Sequence, residues 1–273
     1  MEFVQANGVR FAYLAEGVGP LVLLLHGFPD TAHSWDRVMA AVAQAGFRAV
    51  APFMRGYHPT SIPTDGKYDG DTLGRDVLAL VEALGETQAI LVGHDWGALA
   101  AFSAASLGPE RVRLLVTVGV PHPGGVLPTP RMLWSIRHFL FLRGKAAVDK
   151  IRANKLAYVD ELWRRWSPHW KDIPASETAR VKEAFEHPGV LEAARGYYAA
   201  LRPRLSPTLR KKISVPAVAF AGLDDTFAAA VYDKAKSAYG SRYEVVKVPG
   251  GHFMHREHPG EFIAELVRVL KAA

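Results

Sequence analysis

Ala89-Ile90-Leu91-Val92-Gly93-His94-Asp95-Trp96-Gly97-Ala98-Leu99-Ala100-Ala101 is the stretch that decides the fold. Its four leading apolar residues show no alternation and read as a strand buried on both faces. From Ala98 the chain reads as a small-residue helix over 98–107, closed by Gly108-Pro109. Between strand and helix, the chain must reverse within a few residues. A turn that tight strains its central residue, and side chains on either flank would collide, which explains Gly93 and Gly97. The same arrangement forms the nucleophile elbow of one α/β architecture, here with aspartate at its centre. Alone, the motif also fits a turn in which Asp95 merely caps the helix.

Working outward, further strands follow. Leu21–Leu25 is wholly apolar and ends at His26-Gly27; 114–118 ends at Gly119. The segments 215–220 and Tyr243–Val248 each run into a loop with Gly or Pro. Helical segments lie between them. Over 72–84, Leu73, Val77, Leu80, Val81 and Leu84 share one face and Gly85 stops the helix; 261–270 is amphipathic. Alternating strand and helix predicts an α/β fold, a mostly parallel doubly wound sheet. The pattern breaks over 124–212. Around Pro121, Pro123, Pro128 and Pro130 the chain turns helical and aromatic, with Trp134, Phe139, Phe141, Tyr158, Trp163, Trp166, Tyr197 and Tyr198 among its residues. This stretch reads as a helical cap, with the core formed by 1–123 and 213–273. A second packed subdomain without contact to a site is the alternative.

Composition excludes several classes. The 273 residues, 49% hydrophobic, suit one α/β domain with an insertion. Absence of cysteine excludes disulfides and thiolate chemistry, so a reducing compartment is adequate. The start Met1-Glu2-Phe3-Val4-Gln5 has no signal-peptide pattern, and apolar runs such as Leu21–Leu25 are too short to cross a bilayer. A cytoplasmic protein is expected. The net charge of +6 lies in short scattered clusters, Arg164-Arg165, Arg202 with Arg204, and Arg210-Lys211-Lys212, so no nucleic-acid partner is expected.

His26-Gly27-Phe28-Pro29, Gly93-His94-Asp95-Trp96-Gly97, Gly222-Leu223-Asp224-Asp225 and Gly251-His252-Phe253 match, in order, the motifs of the α/β-hydrolase superfamily. The His-Gly-x-Pro and Asp-Trp combination resembles its epoxide hydrolases most. A carboxylate in the elbow attacks sp³ carbon bearing a leaving group, giving an ester of the enzyme's own side chain. The resemblance implies Asp95 as nucleophile, with the backbone N–H groups of Phe28 and Trp96 as oxyanion hole for hydrolysis of that ester. It implies His252, after the Tyr243–Val248 strand, as the water-activating base. Asp224 and Asp225 are adjacent candidates for the orienting acid; the family's Gly-x-x-Asp spacing gives Asp225. The loop after 114–118, Gly119-Val120-Pro121-His122-Pro123, offers no carboxylate instead. His252, His255 and His258 recur at spacings of three, but neither cysteine nor a clear carboxylate frames them, so no metal is expected. His94 is expected to be a packed, hydrogen-bonded neighbour.

Epoxide hydrolases of this kind use two cap tyrosines to protonate the leaving alkoxide. Gly196-Tyr197-Tyr198-Ala199 matches the second, giving Tyr198, and His138 falls where the first is usual. A histidine can also donate a proton. His26, Pro29, Trp134 and Phe253 are expected to line the pocket. The implied partners are a hydrophobic small-molecule epoxide and water, without cofactor; monomer and homodimer both remain open. Haloalkane dehalogenase is the nearest rival, sharing Asp95 and Trp96. Its usual second halide donor is Asn in the His-Gly-x-Pro motif, where this chain has Phe28. A non-catalytic binding protein on the same fold is the third reading.

Overall fold

In the computed structural model, which describes residues 1–126 and 129–273, eight strands form one sheet. They are β1 (Glu2–Ala6), β2 (Val9–Glu16), β3 (Leu21–Leu25), β4 (Arg48–Pro52), β5 (Ala89–His94), β6 (Val112–Val118), β7 (Ala217–Gly222) and β8 (Tyr243–Val248). Their spatial order is β1-β2-β4-β3-β5-β6-β7-β8. From β4 to β8 every pairing is parallel, whereas β1–β2 and β2–β4 are antiparallel. Every residue of β3, β5 and β7 is buried, as expected of strands covered on both faces.

The covering helices are α1 (Asp36–Gln44), α2 (Gly70–Ala83), α3 (Trp96–Leu107) and, at the C-terminal end, α12 (Pro259–Lys271). α1 packs against α12, and α2 against α3. α3 is buried nearly throughout, between α2 and the sheet, which its alanines permit by their small volume. Between β6 and β7 the described residues contain no strand. They form α4 (Pro130–Ser135), α5 (His138–Arg143), α6 (Ala146–Trp166), α7 (Ala175–Glu186), α8 (Val190–Ala200) and α9 (Pro207–Arg210). Pro128, one of the residues used to mark the start of this insertion, lies outside the described residues. Two short helices, α10 (Ala229–Lys234) and α11 (Met254–Glu257), complete the core. No described helix is long and apolar enough to cross a membrane.

The insertion is fastened to the core by buried polar bonds. Glu177 of α7, almost inaccessible, accepts from Arg256 Nε at 2.6 Å and Arg37 Nη2 at 3.2 Å. Trp163 Nε1 of α6 donates to the Pro29 carbonyl at 3.0 Å, and the Trp166 carbonyl accepts from His252 N–H at 2.8 Å. Each bond joins a group that would otherwise be buried unpaired, so breaking one costs more than forming it gains.

Candidate active site

Asp95 stands between β5 and α3 with φ 52° and ψ −116°, the strained centre expected of the elbow. Crowding accounts for the glycines. A Cβ on Gly97 would lie 2.8 Å from the His26 carbonyl oxygen, and one on Gly93 would lie 2.7 Å from the Ala98 nitrogen. Gly27 is equally constrained, since a side chain there would overlap the Asp95 carboxylate.

One backbone N–H group bonds that carboxylate, and a second lies next to it in the chain. Phe28 N–H donates to Asp95 Oδ1 at 2.9 Å. The loop carrying Phe28 is held by His26, whose Nε2 accepts from Met54 N–H at 2.9 Å. Its Nδ1 therefore carries the hydrogen and donates to the Gly27 carbonyl at 2.9 Å. Burial pushes His26 down to about 4, which keeps it neutral in this role. Trp96 is the first residue of α3. Its N–H is among the first-turn donors without an intrahelical acceptor, the intrahelical bonds beginning at Ala98 N–H to the Asp95 carbonyl.

His252 stands four residues beyond β8, and its ring lies between two carboxylates. Nδ1 is 3.2 Å from Asp225 Oδ1, and Nε2 is 3.5 Å from Asp95 Oδ2. Asp225, three residues past β7, has a fully buried side chain and accepts from Thr226 N–H at 2.5 Å. Its neighbour Asp224 points elsewhere and pairs with His169 at 3.0 Å. Burial alone would lower the His252 pKa. The charge and hydrogen bond of Asp225, then those of Asp95, outweigh it and raise it to about 10. Burial raises Asp95, but the His252 hydrogen bond and charge overcome this and hold it below the usual carboxylate range. The resting pair is thus carboxylate and imidazolium. The Asp95 side chain keeps 15% of its surface exposed.

The insertion roofs this centre with aromatic rings. Tyr198 of α8 is fully buried, edge-on to Trp96 at 5.0 Å and to Phe28 at 5.3 Å between centroids. Its hydroxyl has no hydrogen-bond partner among the described residues. Burial, then the Asp95 charge, pushes its phenol well above the ordinary value, so it stays protonated. Tyr197 anchors the helix by donating to the Arg55 carbonyl at 2.8 Å, and Arg55 is held by Asp76 at 2.7 and 2.9 Å. His138, the first residue of α5, is 7% exposed. Its ring is 6.3 Å from Tyr198 and 4.9 Å from Trp166, and Trp166 is in turn 5.3 Å from His252.

The expected pocket residues divide. His26 and Pro29 are buried in the loop that presents Phe28. Phe253 is fully buried and stacks on Trp163 at 3.8 Å, so it packs behind His252. Trp134 is not brought to the site. It is 66% exposed, with the Arg137 guanidinium 3.7 Å above its ring, and it has no ring contact with the site among the described residues. A helix-end tryptophan whose cation partner lies three residues along its own chain satisfies itself locally, without a tertiary pocket. Trp166 and Phe139, which do pack at the site, were absent from the sequence-based set, because aromatic residues in a helical stretch look the same in core and pocket. His94 is the packed neighbour expected: its Nε2 lies 3.0 Å from the His252 carbonyl.

An elbow after the central strand of a largely parallel sheet, an acid after β7 and a histidine after β8 define a class. The chain belongs to the alpha/beta hydrolase fold family, whose sequence profile matches residues 20–259. Within it, the chain is epoxide hydrolase-like. It is 30% identical over 271 residues to the AB hydrolase superfamily protein YfhM of Bacillus subtilis (strain 168), covering 94% of this chain and 93% of that one. It is 28% identical to epoxide hydrolase A of Mycobacterium tuberculosis (strain ATCC 25618 / H37Rv), covering 98% and 96%. Its structure superposes on epoxide hydrolase A from Mycobacterium thermoresistibile with a TM-score of 0.84, at 26% identity, covering 99% and 97%.

Proposed function

We propose that this chain opens epoxides to vicinal diols through a covalent ester on Asp95. The observation that supports it most is the position of His252, between the Asp95 carboxylate at 3.5 Å and the Asp225 carboxylate at 3.2 Å, with Phe28 N–H on Asp95 Oδ1. In the first step a carboxylate oxygen of Asp95 attacks an epoxide carbon from behind, and that carbon–oxygen bond breaks. The departing oxygen takes a proton from Tyr198, with His138 as second donor, so charge developing only in the transition state is stabilised.

Alkylation removes the negative charge of Asp95. His252 then loses one of the two carboxylates that hold its proton, while burial still favours the neutral ring. It releases that proton, which restores the Tyr198 hydroxyl, and becomes the base. Water gives a proton to His252 Nε2 and attacks Asp95 Cγ. The oxyanion on Oδ1 is held by Phe28 N–H and Trp96 N–H. Collapse breaks the ester bond, and the proton of the newly added hydroxyl passes to the departing oxygen, which frees the diol and returns the carboxylate. Asp225 orients the imidazole and stabilises its protonated form. The insertion serves as the cap, supplying the donors and an apolar roof that suits a hydrophobic epoxide.

A single turnover of an aryl-bearing epoxide in heavy-oxygen water tests this. The first diol should carry no label, because its new oxygen comes from Asp95, and the protein should gain one heavy oxygen. Label in the first diol would mean direct attack by water. Halide release from a haloalkane without diol from an epoxide would assign the dehalogenase activity instead.

A further inference from the structure

Behind the catalytic histidine, Asp30, His94 and His255 converge in a completely buried group outside the proposed reaction path. They come from the loop after β3, the end of β5 and α11. One ligand atom of each residue lies within 4.8 Å of the others, with Asp30 Oδ2 3.9 Å from His94 Nδ1. The group holds three buried atoms, Asp30 Oδ2, His94 Nδ1 and His255 Nδ1. None has a hydrogen-bond partner among the described residues. His94 Nε2 donates to the His252 carbonyl, so its Nδ1 is bare. On the far side of the His255 ring, Nε2 is hydrogen-bonded to the Ser34 hydroxyl at 2.7 Å. The other Asp30 oxygen accepts from Thr31 N–H at 2.8 Å. Three buried polar atoms left without partners carry the full cost of their desolvation.

We infer that Asp30, His94 and His255 form a binding site for one first-row divalent cation of the zinc type. The set has the makeup of such a site: two imidazoles, one carboxylate, and each imidazole oriented through its second nitrogen by an outer partner. Asp30 also borders a cavity of about 140 Å³ at the seam between core and insertion, lined by Thr31, Ser34, Trp163, Glu177 and Arg256 among others. Ligand atoms around zinc at about 2.1 Å lie roughly 3.4 Å apart. Asp30 Oδ2 and His94 Nδ1 are 3.9 Å apart, so the group closes on an ion with movements below about 1 Å per side chain.

Occupancy reaches the catalytic centre. The His94 and His252 rings are 4.6 Å apart and share the His94–carbonyl bond.

The test reads binding on the resting protein, so it stands whether or not epoxides are the substrate. Chelator-treated protein is titrated calorimetrically with zinc chloride, and separately with cobalt(II) followed by visible absorption. The expected result is one ion per chain with a Kd of about 1 μM or tighter and cobalt bands of low coordination number. His255→Gln and Asp30→Asn should each weaken binding more than about tenfold, since losing even an outer partner commonly does that. His187→Gln, removing one ring of the surface His58–His187 stack, should change nothing. Two results overturn the inference. Binding insensitive to His255→Gln but lost in His187→Gln would place the ion on surface histidines. Absence of cobalt bands and of zinc binding below about 100 μM would leave the group to a water shared with protonated Asp30.

Discussion

Asp95, Asp225 and His252 stand just past the ends of parallel strands, whereas Tyr198 and His138 stand on helices of the insertion. Strand register fixes the first set. β5, β6, β7 and β8 are bonded side by side, so the loops leaving them emerge at one edge whatever the side chains. The second set is fixed by packing. Tyr198 is placed by ring contacts with Trp96, Phe28 and Phe139, and His138 by contacts with Trp166 and Phe139. Packing tolerates substitution better than register does. A family can therefore change its proton donors without moving its nucleophile, and the departure at His138 falls in the insertion.

The sharpest test of this division is Asp95→Ala. The variant should fold, by far-ultraviolet circular dichroism, while turnover drops on the order of 10⁴-fold or more, since no other group forms the covalent bond. Near wild-type turnover by a folded variant would remove the core from the chemistry altogether. His252→Gln should lower turnover by about 10²- to 10⁴-fold and leave a trapped ester. Mass spectrometry should find protein plus substrate mass, because alkylation needs no base.

The insertion should show smaller effects, confined to ring opening. Tyr198→Phe should slow alkylation by about two orders of magnitude in rapid-quench measurements, with little change in ester hydrolysis. His138→Ala should have a similar or smaller effect on the same step and alter its pH dependence. Slower ester hydrolysis in either variant would extend the insertion's role to the second step.

Acid stability gives the mildest contrast and falls on the core. His26, His94, His122 and His255 are fully buried and neutral, with pKa values depressed by burial, the first three to about 4, 3 and 4. The unfolded chain binds protons at these rings below about pH 6.5 while the folded chain does not, so stability falls with acidification. Asp30, raised to about 7 by burial, binds its proton more readily when folded and partly offsets the loss. His252, raised to about 10, contributes stability that is present below pH 6.5 and lost as pH rises towards 10. Urea unfolding at pH 7.5 and 5.5 should show a net loss on the order of 2 kcal/mol at the lower pH. A gain on acidification would mean these rings are not buried neutral.

Five of the eight strands were legible in the sequence, and the missed three share a cause. β3 and β8 match the sequence-based limits, and β5, β6 and β7 differ by a few residues at their ends. β1, at the sheet edge, and β2 beside it are antiparallel strands with partly exposed residues, and β4 is Arg48-Ala49-Val50-Ala51-Pro52, too poor in large apolar residues to stand out. Helices α2 and α3 were visible because glycines mark their C-terminal ends and α12 because it is amphipathic, although their first turns extend further back.

For the site, local sequence fixed what the backbone enforces. The glycines around Asp95 report crowding between adjacent residues, and the motifs after β7 and β8 report loops whose positions follow from topology. Choosing Asp225 over Asp224 rested on family spacing, and only the structure turned one carboxylate to His252 and the other to His169. Tertiary structure alone decided that Trp134 faces out, that Trp166 joins His138 to His252, and that Asp30 and His255 meet His94. Those residues are far apart in the chain, and their meeting depends on how the helices pack. Packing is a property of whole surfaces, which no local pattern of residues encodes.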